Sequence, residues 1–131
     1  MPRQIVNPPE LMRPRGFAHG VVAGPYVFLA GQTALDAEGR IVPGGIVEQF
    51  EQAFTNLLTT LRAAGGRPED LVDVTIYLTD VQAYQRHGRQ IGAKWRELAG
   101  TDYPAMAGIG ISELWQPEAL IEIKGIAYLG E

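Results

Sequence analysis

The chain has 131 residues, 46% of them hydrophobic and 20% charged, which is enough for one hydrophobic core and too few for two, so a single domain over residues 1–131 is expected. Its 11 basic and 15 acidic side chains give a net charge of −4, which disfavours nucleic acid as a partner, and the lack of cysteine excludes disulfides, thiolate metal sites and cysteine nucleophiles. No apolar run resembles a signal peptide or reaches the roughly 18 residues of a membrane span, so a cytoplasmic location without membrane association is expected.

The amino-terminal part of the chain predicts an antiparallel ribbon. Two short apolar stretches, residues 17–23 and 26–30, are separated by Gly24-Pro25, which is typical of a turn. A second turn is expected at residues 36–40, where Gly39 can adopt a positive φ.

Two segments have helical periodicity. Apolar residues recur at helical spacing over residues 46–64, and Gly65-Gly66 follows as a natural end. A second helix is expected over about residues 81–99, although Gly88 and Gly92 weaken its propensity. Two glycines on one helix indicate close packing against another element.

The remaining segments predict strands. Val72, Val74, Ile76 and Leu78 alternate with polar residues, and two further strands are expected at residues 105–111 and 119–129. Helices separated by single strands predict an α+β fold with a mixed sheet and both helices on one face. No helix remains for the other, partly apolar face, so a partner subunit is expected to cover it.

Six short segments follow one another along nearly the whole chain: residues 7–9 (NPP), 28–32 (FLAGQ), 50–53 (FEQA), 74–80 (VTIYLTD), 104–105 (PA) and 120–127 (LIEIKGIA). Their order and spacing resemble the reactive intermediate deaminase (Rid, or YjgF-like) family. The resemblance implies a chorismate-mutase-like fold and a homotrimer with a central barrel-like core and ligand clefts between subunits. It also implies cofactor-independent hydrolysis of an enamine or imine, such as 2-aminoacrylate, to a carbonyl compound and ammonia.

At several positions the chain departs from the family pattern. The family arginine that binds a substrate carboxylate follows Pro-Ala, and here that position is Met106. The glutamate that positions water in the family is retained as Glu122. Four further positions differ from residues common in the family: Phe17 for tyrosine, Ala30 for serine, Gly88 for asparagine and Gly108 for cysteine.

These departures predict a pocket for a ligand that is neutral or more apolar than 2-aminoacrylate. A methionine thioether cannot form the paired charge-assisted hydrogen bonds of arginine. Glu122 is the expected catalytic residue, and an interface salt bridge is the alternative role for a carboxylate among apolar neighbours. The expected substrate-binding residues are Phe17, Ala30, Gly31, Gly88, Met106, Gly108 and Trp115.

His19 is the second expected catalytic residue, as a proton donor near Glu122, although a lone histidine is more often a hydrogen-bonded spacer. Arg13 and Arg15 either supply the missing positive charge or are surface charges on a proline-rich arm. The two histidines lack the spacing of a metal site, so neither a metal nor a cofactor is expected.

Two functions of different classes remain open. The first is an enamine or imine deaminase that works at a cleft between subunits. The second is a non-catalytic trimer that binds a small hydrophobic or carbonyl metabolite. A third, ribonuclease activity, fits poorly with the acidic balance of the chain.

Overall fold

The protein folds as a six-stranded mixed β-sheet with helices on one face, in a computed structural model that describes residues 2–130. The elements in chain order are β1 (Gln4–Val6), β2 (Gly20–Ala23), β3 (Tyr26–Gln32), α1 (Ile46–Ala63), a 3-10 turn (Pro68–Asp70), β4 (Leu71–Leu78), α2 (Val81–Arg86), α3 (Gly88–Ala99), β5 (Ala105–Gly110) and β6 (Ile121–Tyr128). The strand order is β1-β2-β3-β6-β4-β5, with β4 and β5 parallel and the other neighbours antiparallel. The expected α+β fold is therefore confirmed. The ends of the expected domain, Met1 and Glu131, lie outside the described residues.

Helix α1 forms the centre of the core, as its apolar periodicity predicts. It packs on β3 and β6, and its side chains Phe50, Phe54 and Leu57 are fully buried. The helix ends where expected, because Gly65 has a φ of 95° and the N–H of Gly66 donates to the carbonyl of Leu61 over 2.9 Å. Among the helices of residues 2–130, none has both the length and the apolar composition that crossing a bilayer requires.

The single helix expected over residues 81–99 is divided into α2 and α3, and the prediction of one continuous helix was wrong. The break lies at His87, whose Nδ1 is 2.9 Å from the carbonyl oxygen of Ala83. Gly88 follows directly, and its low helix propensity weakens the continuation. Helix α3 then packs beside α1, and the Trp95 ring stacks on Phe54 with centroids 4.3 Å apart.

Three details of the strands also differ from expectation. Val72 is 44% exposed because the register of β4 against β6 shifts between Leu71 and Asp73, so Leu71 takes the core position instead. Phe17 lies in the loop before β2 rather than in a strand. The short strand β1, which pairs with β2, was not predicted.

A bulge in β3 shapes the region around Glu122. Leu29 pairs with Gly125 and Gln32 pairs with Ile123, and the register shifts between them. Ala30 and Gly31 occupy this shift, between the positions that pair with Gly125 and Ile123, and Gly31 lies against the Glu122 side chain. Bulges of this kind redirect side chains and are common beside functional sites.

The sheet face opposite α1 exposes large side chains. Tyr26, Phe28 and Tyr128 are all exposed, and the rings of Tyr26 and Tyr128 lie 5.3 Å apart. Every residue of β5 is exposed as well. An exposed apolar surface of this kind is typical of a subunit interface.

Candidate functional site

A cavity with a volume of about 740 Å³ surrounds Glu122. Its walls come from residues 12–19, residues 30–35 and the loop at residues 113–116. The structure therefore brings together most of the expected site residues: Glu122, His19, Phe17, Ala30, Gly31 and Trp115.

Glu122 lies half-buried in β6 at this cavity, where burial raises the pKa of its carboxyl group and the nearby Lys124 partly opposes that rise. Gly31 leaves the space that the carboxylate occupies. A Cβ atom at Gly31 would collide with Oε2 of Glu122 and would stand 2.8 Å from its carboxyl carbon. Neither ion pair among the described residues involves Glu122. Residues 2–130 of one chain therefore provide no salt bridge that would explain this carboxylate.

His19 is 3% exposed and hydrogen-bonded through both ring nitrogens. Nε2 donates to the carbonyl of Met12 over 2.8 Å, and Nδ1 lies 3.0 Å from the side-chain nitrogen of Gln32, from which it accepts. In this pairing Nε2 is the donor and Nδ1 is the acceptor. The catalytic role expected for His19 stays a prediction, and its bonds leave neither nitrogen free to face a ligand.

The part of the loop nearest β6 is held by two side chains. Thr33 Oγ1 donates to Gln116 Oε1 over 2.8 Å. The amide of the buried Gln49 donates to the carbonyl of Glu118 over 3.1 Å and accepts from the N–H of Leu120 over 2.8 Å. Trp115 directly precedes the first of these anchors and is 88% exposed, so its indole is an open wall of the cavity.

Gly88 and Met106 lie at a second, smaller cavity of about 160 Å³, which is lined mainly by α3 and aromatic side chains. Strand register explains the separation. Met106 pairs with the buried Val74, whereas Glu122 pairs with Tyr77. Because neighbouring side chains of a strand point to opposite faces, Met106 and Glu122 lie on opposite sides of the same sheet.

Gly108 lines neither of these cavities. A Cβ atom at Gly108 or at Gly88 would meet nothing within 4 Å, so both glycines leave open space at the surface of the chain. The resemblance implied one pocket for all the expected residues. A single chain instead distributes them over two cavities and one exposed strand.

The structure also places Arg15 at the Glu122 cavity, together with Glu113, whereas Arg13 is not among the lining residues. Gln32 and Thr33 belong to the site as well and were not singled out from the sequence. Gln32 and Thr33 form a polar pair at the end of the apolar strand β3, and this pair was the sequence feature that could have indicated them. Within the described residues, no group of three or more His, Asp or Glu side chains is arranged to hold a metal ion.

Comparisons with known proteins agree with this architecture. A family model described as Endoribonuclease L-PSP matches residues 10–129. A RutC family protein of Pyrococcus abyssi is 31% identical over 98% of both chains. A 2-iminobutanoate/2-iminopropanoate deaminase of Dermatophagoides farinae is 28% identical, again over 98% of both chains. The crystal structure of RidA from the Antarctic bacterium Psychrobacter sp. PAMC 21119 superposes with a TM-score of 0.83 at 25% identity and covers 95% of this chain and 98% of that one.

Proposed function

This chain belongs to the Rid (YjgF-like) family, whose model is described as Endoribonuclease L-PSP, and on that premise we propose that it hydrolyses a reactive enamine or imine to a carbonyl compound and ammonia. The observation that carries the proposal is Glu122, a half-buried carboxylate with a raised pKa beside a cavity of about 740 Å³. The relative named as an imine deaminase supports the same reaction class.

In the proposed reaction Glu122 acts on water. The carboxylate accepts a proton from a water molecule, the water oxygen bonds to the carbon of the protonated C=N group, and the π electron pair of C=N moves to nitrogen. Glu122 then returns the proton to nitrogen, and the C–N bond breaks with its electron pair leaving on ammonia. The hydroxyl group gives its proton to the Glu122 carboxylate as the carbonyl forms, and that proton passes to solvent. An enamine first gains a proton on carbon and becomes the imine. A carboxylate whose pKa is raised towards the working pH is better suited to this exchange than an ordinary one.

The proposed substrate is neutral or more apolar around its reacting carbon than 2-aminoacrylate. Phe17 and Trp115 give the cavity aromatic walls, and Phe17 contacts the His19 ring edge-on with centroids 5.4 Å apart. Met106 replaces the arginine that the family pattern has at that position. No metal or cofactor takes part in the proposed reaction.

We place the complete site between subunits of a homotrimer. Met106 and Glu122 lie on opposite faces of one sheet, so a pocket that contains both requires two copies of the chain. The exposed rings of Tyr26, Phe28 and Tyr128 supply an apolar surface for that assembly. Analytical ultracentrifugation is expected to give three times the mass of 14.3 kDa. A monomer at micromolar concentration would contradict this part of the proposal.

Glu122→Gln is the direct test of the reaction. We expect it to lower imine hydrolysis by about 100-fold to 10,000-fold, the usual contribution of a general acid–base group. Freshly generated neutral imines serve as substrates, and ammonia release is measured against the uncatalysed rate. Glu118→Gln is the matched control, because Glu118 is exposed and its side chain does not line the cavity.

The alternative is a non-catalytic trimer that binds a small carbonyl metabolite. That alternative is supported if the wild type binds ketones yet accelerates no imine in the panel. Ribonuclease activity, which the family description names, is less well supported here. Two acids, Glu113 and Glu122, face one arginine in the cavity, and a phosphate backbone requires the opposite balance.

A further inference from the structure

The loop between β1 and β2 is held in a defined shape over the Glu122 cavity. Asn7 Oδ1 accepts a hydrogen bond from the N–H of His19 over 2.8 Å, and the His19 ring donates to the Met12 carbonyl over 2.8 Å. The N–H of Leu11 donates to the carbonyl of Pro8 over 3.2 Å. Arg15 therefore lies in a loop whose shape is fixed by its own hydrogen bonds, and it does not lie on a free arm.

Gly16 directs the two residues beside it to the cavity. Its φ of 79° lies in the left-handed region that favours glycine, and both Arg15 and Phe17 line the cavity. Phe17 supplies an apolar wall and Arg15 supplies a cation at the same entrance. The backbone conformation at Gly16 thus couples the placement of the two side chains.

The guanidinium of Arg15 is available to a ligand. Both ion pairs among the described residues are made by Lys94, so Arg15 has no acidic partner within 4 Å there. No other lysine or arginine lines this cavity within residues 2–130. Arg15 is exposed whereas Glu122 is half-buried, so the positive charge sits at the rim and the carboxylate sits deeper.

We infer that Arg15 determines substrate specificity by binding a carboxylate at the rim of the cavity, away from the bond that is hydrolysed at Glu122. The inference rests on the proposed function and names its substrate class. The substrate is an imine or enamine whose reacting carbon and carboxylate are separated by an apolar segment. A volume of about 740 Å³ suits such a ligand better than a three-carbon acid. Arginine binds a carboxylate through two parallel hydrogen bonds.

The test compares a ketone with a remote carboxylate and its neutral partner as product analogues. The probes are para-acetylbenzoate and para-acetylbenzamide, which share an apolar ring and a ketone and differ in charge at the far end. We expect the wild type to bind the carboxylate about tenfold more tightly than the amide, which corresponds to about 1.4 kcal/mol. Higher ionic strength is expected to reduce this preference, because the arginine is exposed.

Arg15→Gln is expected to abolish the preference, and Arg15→Lys is expected to restore part of it. Arg13→Gln is the matched control, because Arg13 is exposed two residues away and does not line the cavity. Calorimetric binding constants are the readout. An unchanged preference in Arg15→Gln, or equal losses in Arg13→Gln and Arg15→Gln, would overturn the inference.

Kinetics separate this inference from the proposed function. With an imine that carries a remote carboxylate, Arg15→Gln is expected to raise KM about tenfold and to retain most of kcat, while Glu122→Gln loses kcat. Carboxylate binding that depends on Arg15 without any hydrolysis would leave the inference standing and refute the proposed reaction. If hydrolysis depends on Glu122 but KM is unchanged in Arg15→Gln, the proposed reaction stands and the inference about Arg15 is refuted.

Discussion

The cavity around Glu122 and the cavity beside Met106 lie on opposite sides of one sheet and differ in character. The Glu122 cavity is large, contains two acids and one arginine, and is framed by loops that side-chain hydrogen bonds hold in place. The cavity beside Met106 is small and is lined by α3 and aromatic side chains. Strand alternation alone causes this separation. The comparison teaches that the expected site residues occupy both faces of the sheet, so a single pocket that contains Met106 and Glu122 would need a second copy of the chain.

Among the changes that compare the two cavities, the largest effect is expected from removing the space at Gly31. Gly31→Ala places a Cβ atom against the Glu122 carboxylate, whose displacement is expected to lower kcat/KM for a neutral imine by about 100-fold. Gly45→Ala is the matched change away from both cavities, where the new Cβ would stand 4.0 Å from Oε1 of Glu48. The second variant should keep its activity, because Gly45 lines neither cavity. Equal activities of the two variants would refute the proposed role of the Gly31 gap.

A substitution at the cavity beside Met106 is expected to have an intermediate effect on kcat/KM. Met106→Arg introduces the forked cation of the family pattern and is expected to raise kcat/KM for 2-aminoacrylate at least about tenfold, from hydrogen bonds to a charged group of about 1.5 to 3 kcal/mol. Met106→Gln, which is polar but uncharged, serves as the control. The gain should disappear when Glu122→Gln is added. A gain that survives this second change would show that Met106 and Glu122 do not share a site.

The smallest effect is expected from removing the charge of Lys124, which acts on the pKa of Glu122. Lys124 lowers the pKa of Glu122 against the stronger effect of burial, so Lys124→Gln is expected to raise that pKa slightly further. Hydrolysis needs the ionised carboxylate, and its rate should therefore rise with pH through the raised pKa and do so at higher pH in the variant. A pH–rate profile measures the shift. If the rising limb of the profile moves to lower pH in Lys124→Gln, the titrating group is not Glu122.

The raised pKa of Glu122 also predicts the direction in which the stability of the fold changes with pH. The folded chain holds the Glu122 proton more tightly than the unfolded chain, so stability falls as pH rises from the ordinary value of 4.5 to the raised one. Glu122→Gln removes this dependence. Denaturant titrations at several pH values provide the check, and the effect is expected to be modest because the carboxylate is only half-buried.

Elements in which apolar residues recur at a regular spacing over several turns were predictable from the sequence. Helix α1 has five turns of apolar periodicity and a glycine end, and its observed bounds agree with expectation within one residue. Strand β1 has three residues and becomes a strand by pairing with β2, so no local pattern predicts it. The bulges at Leu71 and at Ala30-Gly31 depend on the register of a distant strand, β6, and were invisible for the same reason.

The sequence by itself determined the family, the α+β fold and the position of Glu122 on the last strand. Those features depend on local periodicity and residue type. Only the tertiary structure decided which side chains meet. It showed that both nitrogens of His19 are used inside a loop, that Arg15 reaches the Glu122 cavity and that Met106 does not. The physical reason is that register and loop closure depend on hydrogen bonds between residues far apart in the chain, which no short segment encodes.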